Sequence, residues 1–298
     1  SRTEDMGSIC CLLFYVLLVL KSAPSSRARE IARGHWNDVN YKDVQHHVMD
    51  DEKIVRKHVH VHDDPSSHMD HMDQELNVFF TVNDLKVGKK MPIYFPIKGS
   101  PHLLPKEEAD SIPFSLPQLP HLLEFFSFSQ DSPQAKAMED TIRHCELEPI
   151  KGETKFCSTS LESMLDSTRG IFGLDTQFQV ITTTHLKKPT ALLQNYTILG
   201  VPKEKCAPKM VACHTMPYPY TVFYCHSQES DNKVLEVSLG SENGERLVEA
   251  VAVCHMDTSQ WDPDHVSFRV LRIHPGTSPV CHFFPADNLI WVPSSTLN

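Results

Sequence analysis

Four cysteines stand directly before a histidine: Cys213-His214, Cys225-His226, Cys254-His255 and Cys281-His282. Ten, twenty-seven and twenty-five residues separate the successive pairs, which hold four of the nine cysteines and four of the eighteen histidines. Thiolate and imidazole both bind metals, yet a zinc-finger site needs its ligands a few residues apart to reach one ion. Neighbouring residues on a strand point to opposite faces, so one Cys-His pair is a poor chelate. Histidines converging without thiolate suit copper, zinc, iron or nickel, and copper leads the affinity order of divalent ions. His214, His226, His255 and His282 are therefore candidate metal ligands, with copper the first choice and zinc the second. His265 and His274 lie in the same region and are candidates for additional ligands, although a buried and a surface histidine are the simpler accounts of them.

Three of the four dipeptides follow apolar runs that read as strands: "YTVFY", "VEAVAV" and, more weakly, "SPV". If each cysteine faces one side of a sheet, each histidine faces the other. Such strand ends place four sulfurs on one side and four imidazoles on the opposite one. Two disulfides then staple the strands that aim the histidines, in one of three connectivities.

An oxidising compartment is expected from the N-terminus. "ICCLLFYVLLVL", residues 9–20, has the length of a signal-peptide core and is short for a membrane span. Met6 precedes it, which sets residues 1–5 upstream of the start, and cleavage after Ala28 defines a 1–28 signal peptide. The mature chain has no second run long enough to span a bilayer, so its route is the secretory pathway, to a protein storage vacuole or the extracellular cell wall. Of the seven remaining cysteines, Cys145, Cys157, Cys213, Cys225, Cys254 and Cys281 are expected in disulfides, with Cys206 left over. Asn195, in "NYT", is a glycosylation sequon. A formal charge of -10 argues against nucleic acid and favours a metal ion or a basic peptide as partner.

Residues 29–76 form a polar, histidine-rich arm without apolar periodicity, read as disordered. His58, His60, His62, His68 and His71 fall there, interleaved with Met69 and Met72, as a loose secondary metal-binding segment. Globular patterning begins at Asn77. "VFFTV" and "KKMPIYF" read as strands. Ser132 before Pro133 starts a helix whose apolar stripe runs through Ala135, Met138, Ile142 and Cys145. Thr159 and Glu162 are spaced as a capping box for a helix that Gly170 stops. Beyond it, "TQFQVITTT", "NYTIL", "YTVFYCH", "KVLEVSL", "RLVEAVAVCH", "SFRVLRI", "VCHFF" and "NLIWV" read as strands, and "GSENGE" as a hairpin turn. The fold expected is α+β: a helical N-terminal third, then a mainly antiparallel β-rich half, stapled by disulfides.

The four-fold Cys-His spacing, with eight residues from His282 to Trp291, resembles the BURP domain of plants. So do "FFTVNDLKVGKKMPIYFP", "FCSTSLESMLD", "AVCHMDTSQWDPDHV" and "PVCHFFPADNLIWVP", which place the domain at 77–293, followed by a tail at 294–298. Among subfamilies the chain looks closest to the unknown-seed-protein-like group. The resemblance implies two functional pictures. Some members are copper-dependent oxidative peptide cyclases that join Trp or Tyr side chains within their own chain, with the Cys-His histidines implicated in holding copper. Others are seed, vacuolar, cell-wall or stress-induced proteins, linked to wall enzymes or to metal tolerance, with no established reaction. A self-acting cyclase needs a core peptide. The arm offers only Trp36 and Tyr41, without a repeat, and "IYFPIKGSPHLLPK" has only Tyr94. The reading favoured is a non-catalytic role in seed or wall development, or in stress and metal handling; the alternative is the cyclase.

Overall fold

The computed structural model describes residues 77–96, 102–149, 151–205, 209–229 and 231–294. The expected signal peptide, the histidine-rich arm with His58, His60, His62, His68 and His71, Cys206 and most of the tail lie outside the described residues.

In chain order the elements are β1 (Phe79–Phe80), β2 (Lys90–Tyr94), α1 (Lys106–Asp110), α2 (Leu119–Phe126), α3 (Pro133–Glu146), β3 (Glu153–Ser158), α4 (Leu161–Phe172), β4 (Phe178–Ile181), β5 (Thr184–His185), β6 (Leu193–Ile198), β7 (Lys203–Lys205), β8 (Val211–Met216), β9 (Val222–Gln228), β10 (Asn232–Gly240), β11 (Arg246–His255), α5 (Val266–Leu271), β12 (Val280–Phe284) and β13 (Leu289–Pro293). The fold is α+β with antiparallel pairing throughout the two sheets formed by the described residues. The larger has eight strands along the path β1-β12-β11-β10-β6-β2, with β5 beside β11 and β7 beside β10; the smaller has five, in the order β3-β9-β8-β13-β4.

Alternation along the strands decides what each face buries. Val234, Val251, Val253 and Phe284 of the larger sheet meet Ala212, Ile290 and Val292 of the smaller, so the two inner faces share a core. On its other side the larger sheet buries Leu235, Val237, Ala250, Ala252, Cys254 and Cys281. The two ends of that path, β1 and β2, come from one short stretch of chain. The sheet therefore curls, and Phe80 and Ile93 join that same cluster. The helical third covers the rest of the smaller sheet's inner face: Leu122, Phe126, Met138 and Ile142 pack on Met216, Val222 and Tyr224. On the outer face α4 lays Met164 over Val211, Phe223, Cys213, Cys225 and Trp291.

Ser132 caps α3 by accepting from the Ala135 N–H at 3.1 Å, with Pro133 at the first helical position. For α4 the cap is one residue later than expected. Ser160 accepts from the Ser163 N–H at 3.1 Å and Ser163 reaches back, a reciprocal pair that displaces Thr159 and Glu162. Gly170 does not end this helix; it runs to Phe172 and stops at Gly173, whose φ of 103° only glycine adopts without strain. "GSENGE" does turn the β10–β11 hairpin, with Gly244 at φ 79°. "SFRVLRI" is not a strand. His265 accepts from the Ser267 N–H and starts α5, which ends at left-handed Arg272. The sequence pattern does not show strands β3, β7 and β8 or the helices α1 and α2: β3, β7 and α1 are short and mostly polar, α2 carries Pro120, and the six residues of β8 are too few to set a period.

Candidate functional site

Three disulfides form among the described residues: Cys145–Cys157, Cys213–Cys225 and Cys254–Cys281. The last two follow one plan. Cys213 lies directly opposite Cys225 on β8 and β9, and Cys254 directly opposite Cys281 on β11 and β12, each with a Cα–Cα distance of 4.0 Å. Such close facing positions are the non-hydrogen-bonded pairs of an antiparallel ladder. The residue after each cysteine must point the other way, so each bridge carries two histidines diagonally across the opposite face.

The expectation of all sulfurs on one side of a sheet and all imidazoles on the other needs correction. Two sheets are involved, not one. Each bridge lies on its own sheet's side away from the shared core: Cys213–Cys225 beneath α4, Cys254–Cys281 inside the curl of the larger sheet. The histidines fill the space between the sheets. His214 and His226 come from the smaller sheet, and His255 and His282 from the larger.

All four rings converge in a row. Centroids lie 5.4 Å apart for His226 and His214, 6.1 Å for His214 and His282, and 5.6 Å for the stacked His282 and His255. Phe284 packs on both His214 and His282, at 4.8 and 5.0 Å. The row continues at each end. Trp261 touches His255 at 4.9 Å and His265 at 4.6 Å; at the far end Tyr224 lies 5.4 Å from His226 and 4.4 Å from His144. His265 thus joins the row across Trp261 and across Phe79, which lies 6.3 Å from His265 and 6.2 Å from His282, with its Nδ1 committed to capping α5. His274 is exposed on a turn and takes no part.

Polar partners hold these rings. His226 Nδ1 is 3.2 Å from Glu153 Oε1, whose side chain is 1% exposed, and the Tyr224 hydroxyl donates to the same oxygen at 3.4 Å. His255 Nδ1 lies 2.8 Å from Asn232 Oδ1. His214 Nδ1 faces Asn288 Nδ2 at 3.0 Å. The His214 and His226 Nε2 atoms meet at 3.3 Å. Burial, then the neighbouring His282, His226 and His265, hold His255 well below the usual imidazole range. His144 is pushed down to about 4, mainly by burial, with Lys155 and His226 adding and Glu153 opposing.

The donor set suits a borderline cation in part. Two ligands of a tetrahedral ion with ~2.0–2.1 Å metal–nitrogen bonds stand about 3.3 Å apart, the separation of the His214 and His226 Nε2 atoms. A carboxylate on His226 Nδ1 and an amide oxygen on His255 Nδ1 are the partners that metal-bound imidazoles ordinarily have. Among the described residues, however, no three His, Cys, Asp or Glu side chains are close enough to hold one ion together. Sequence reasoning missed Glu153, Asn232, Asn288, Trp261 and Tyr224 as members of this site. None carries a local signal, because each is defined only by what lies across a sheet.

No helix among the described residues is long and apolar enough to cross a membrane. The family model described as the BURP domain matches residues 78–293. The chain is 40% identical to BURP domain protein USPL1 of Arabidopsis thaliana over 292 residues, covering 96% of each chain. It is 49% identical to BURP domain-containing protein BNM2A of Brassica napus over 227 residues, 74% of this chain and 80% of that one. To BURP domain protein RD22 of Arabidopsis thaliana it is 38% identical over 241 residues, 79% of this chain and 58% of the relative.

Proposed function

The chain belongs to the BURP domain family, and from that premise we propose that it is a secreted or vacuolar plant protein with a non-catalytic role in seed or wall development, or in stress and metal handling, exercised through copper uptake at the histidine row. The observation that carries this reading is the Nε2–Nε2 separation of 3.3 Å between His214 and His226. That pair already has the spacing of two ligands on one ion. His282, 6.1 Å from His214 between ring centroids, is the imidazole that the opposite sheet brings next to this pair. A modest inward turn of the His282 ring completes a set drawn from both sheets.

Calorimetric titration of the purified full chain with Cu(II), alongside His226→Ala and His282→Ala, tests the proposal. Micromolar uptake by the wild-type protein, weakened in both variants, is expected; equal uptake by all three overturns the site. Intact and tryptic masses after exposure to Cu(II) in air test the absence of self-modification. Loss of two hydrogens from a peptide containing Trp36 or Tyr41 overturns the non-catalytic role in favour of cyclisation.

A further inference from the structure

We infer that Asn288 holds His214 in the tautomer that hides its Nε2 lone pair, and that this one amide sets how readily the row accepts a cation; the second half rests on the metal-site reading above. The Thr215 backbone N–H lies 3.1 Å from Asn288 Oδ1. A backbone N–H can only donate, so the atom facing it must be the amide oxygen. The Asn288 NH₂ is thereby turned to His214 Nδ1 at 3.0 Å, and an NH₂ can only donate. His214 therefore accepts at Nδ1 and, when neutral, carries its proton on Nε2. That proton points at His226 Nε2, 3.3 Å away. His226 in turn accepts at Nε2 and carries its own proton on Nδ1, toward Glu153 Oε1 at 3.2 Å. One directional chain results: Thr215 N–H to Asn288, Asn288 to His214, His214 to His226, His226 to Glu153.

The two histidines are consequently unlike. His226 has the metal-ready arrangement, with its Nδ1 proton on a carboxylate and its lone pair facing the row. His214 presents a proton where a ligand needs a lone pair. Freeing that lone pair moves the proton to Nδ1, where it confronts the Asn288 NH₂. If Asn288 then turns over, its NH₂ confronts the Thr215 N–H instead. Asn288 is 3% exposed, so water is a poor substitute for either lost partner. An aspartate at this position has no such conflict, since one oxygen accepts from Thr215 and the other from a His214 Nδ1–H.

Long-range ¹⁵N–¹H correlation spectra of the metal-free full chain at neutral pH read the tautomer directly, with His214→Gln identifying the resonance. The Nε2–H form is expected for His214 in the wild-type protein and the Nδ1–H form in Asn288→Asp. An Nδ1–H form in the wild-type protein overturns the inference without need of any variant that must fold. Titration with Zn(II), which leaves the spectra readable, is expected to show Asn288→Asp binding roughly 10- to 100-fold more tightly, the range in which such outer partners act. Equal zinc affinity in the two proteins overturns the control assigned to Asn288. Zinc uptake by neither protein overturns the metal-site reading, and with it that control, while the tautomer is decided by the wild-type spectrum alone.

Discussion

Glu153 and His226 are bonded at 3.2 Å across the β3–β9 ladder, and both are buried. A carboxylate in that position orients the ring and keeps its Nδ1 proton. Glu153→Leu removes the acceptor from the His226 ring and from the Tyr224 hydroxyl. We expect a loss of about 1–3 kcal/mol in unfolding free energy and a roughly 10- to 100-fold loss of Cu(II) affinity. Glu153→Gln, which keeps an acceptor oxygen, should lose less of both. Urea unfolding and calorimetry read the two effects separately.

The Cys213–Cys225 bridge closes a short loop, with a sequence separation of 12. Loop closure of that size stabilises a fold by about 3 kcal/mol. The double variant Cys213→Ser/Cys225→Ser should therefore melt roughly 6–12 °C lower. It should also weaken Cu(II) binding, because the strands that aim His214 and His226 lose their tie. An unchanged melting temperature by circular dichroism would count against the staple.

Acid should loosen the fold through His144. Its folded value of about 4 lies below the unfolded value of 6.5, because the ring is buried beside Tyr224 with Lys155 and His226 near it. Above pH 6.5 the ring is neutral in both states and the contribution is complete. Between 6.5 and 4 only the unfolded chain takes up the proton, so stability falls as pH falls, by about 3 kcal/mol across the window. His144→Phe should flatten that part of a stability–pH profile measured by denaturant unfolding.

Trp261 reports on the row. It lies 4.9 Å from the His255 ring, whereas Trp291 is buried on the outer face of the smaller sheet. Cu(II) bound in the row should quench Trp261 emission and Zn(II) should not. Trp261→Phe should abolish the part of the Cu(II) quench that His282→Ala also removes in a fluorescence titration, whereas any quench of Trp36 by the arm should persist in both variants.

Asn195 is exposed on β6, while the next residue, Tyr196, is 1% exposed. Among the described residues the Asn195 side chain is open to solvent. Expression through a secretory host should add a glycan mass that Asn195→Gln removes, with stability unchanged within about 0.5 kcal/mol.

Much of this architecture is legible in the residues, and for identifiable reasons. The strand parity of Val253, Cys254 and His255 is local, so the sorting of sulfur from imidazole can be read from the chain. Which sulfurs pair cannot be: it depends on β8 lying beside β9 and β11 beside β12, and on two sheets facing each other. "SFRVLRI" misleads because Phe268, Val270 and Ile273 are aromatic or β-branched and favour a strand, while the His265 cap that makes it helical depends on side-chain geometry. Asn288 is the extreme case. It follows a turn and precedes a strand, and only the Thr215 N–H from another strand gives its amide a direction.

Cys213, Cys225, Cys254 and Cys281 are all 0% exposed. A reductant reaches a disulfide by direct thiolate attack on sulfur, and here no sulfur is within reach until the strands part. The oxidation that closes these bonds during folding thus sets the alignment of the imidazoles for the lifetime of the folded protein. Later swings in the thiol balance of its surroundings pass the row by.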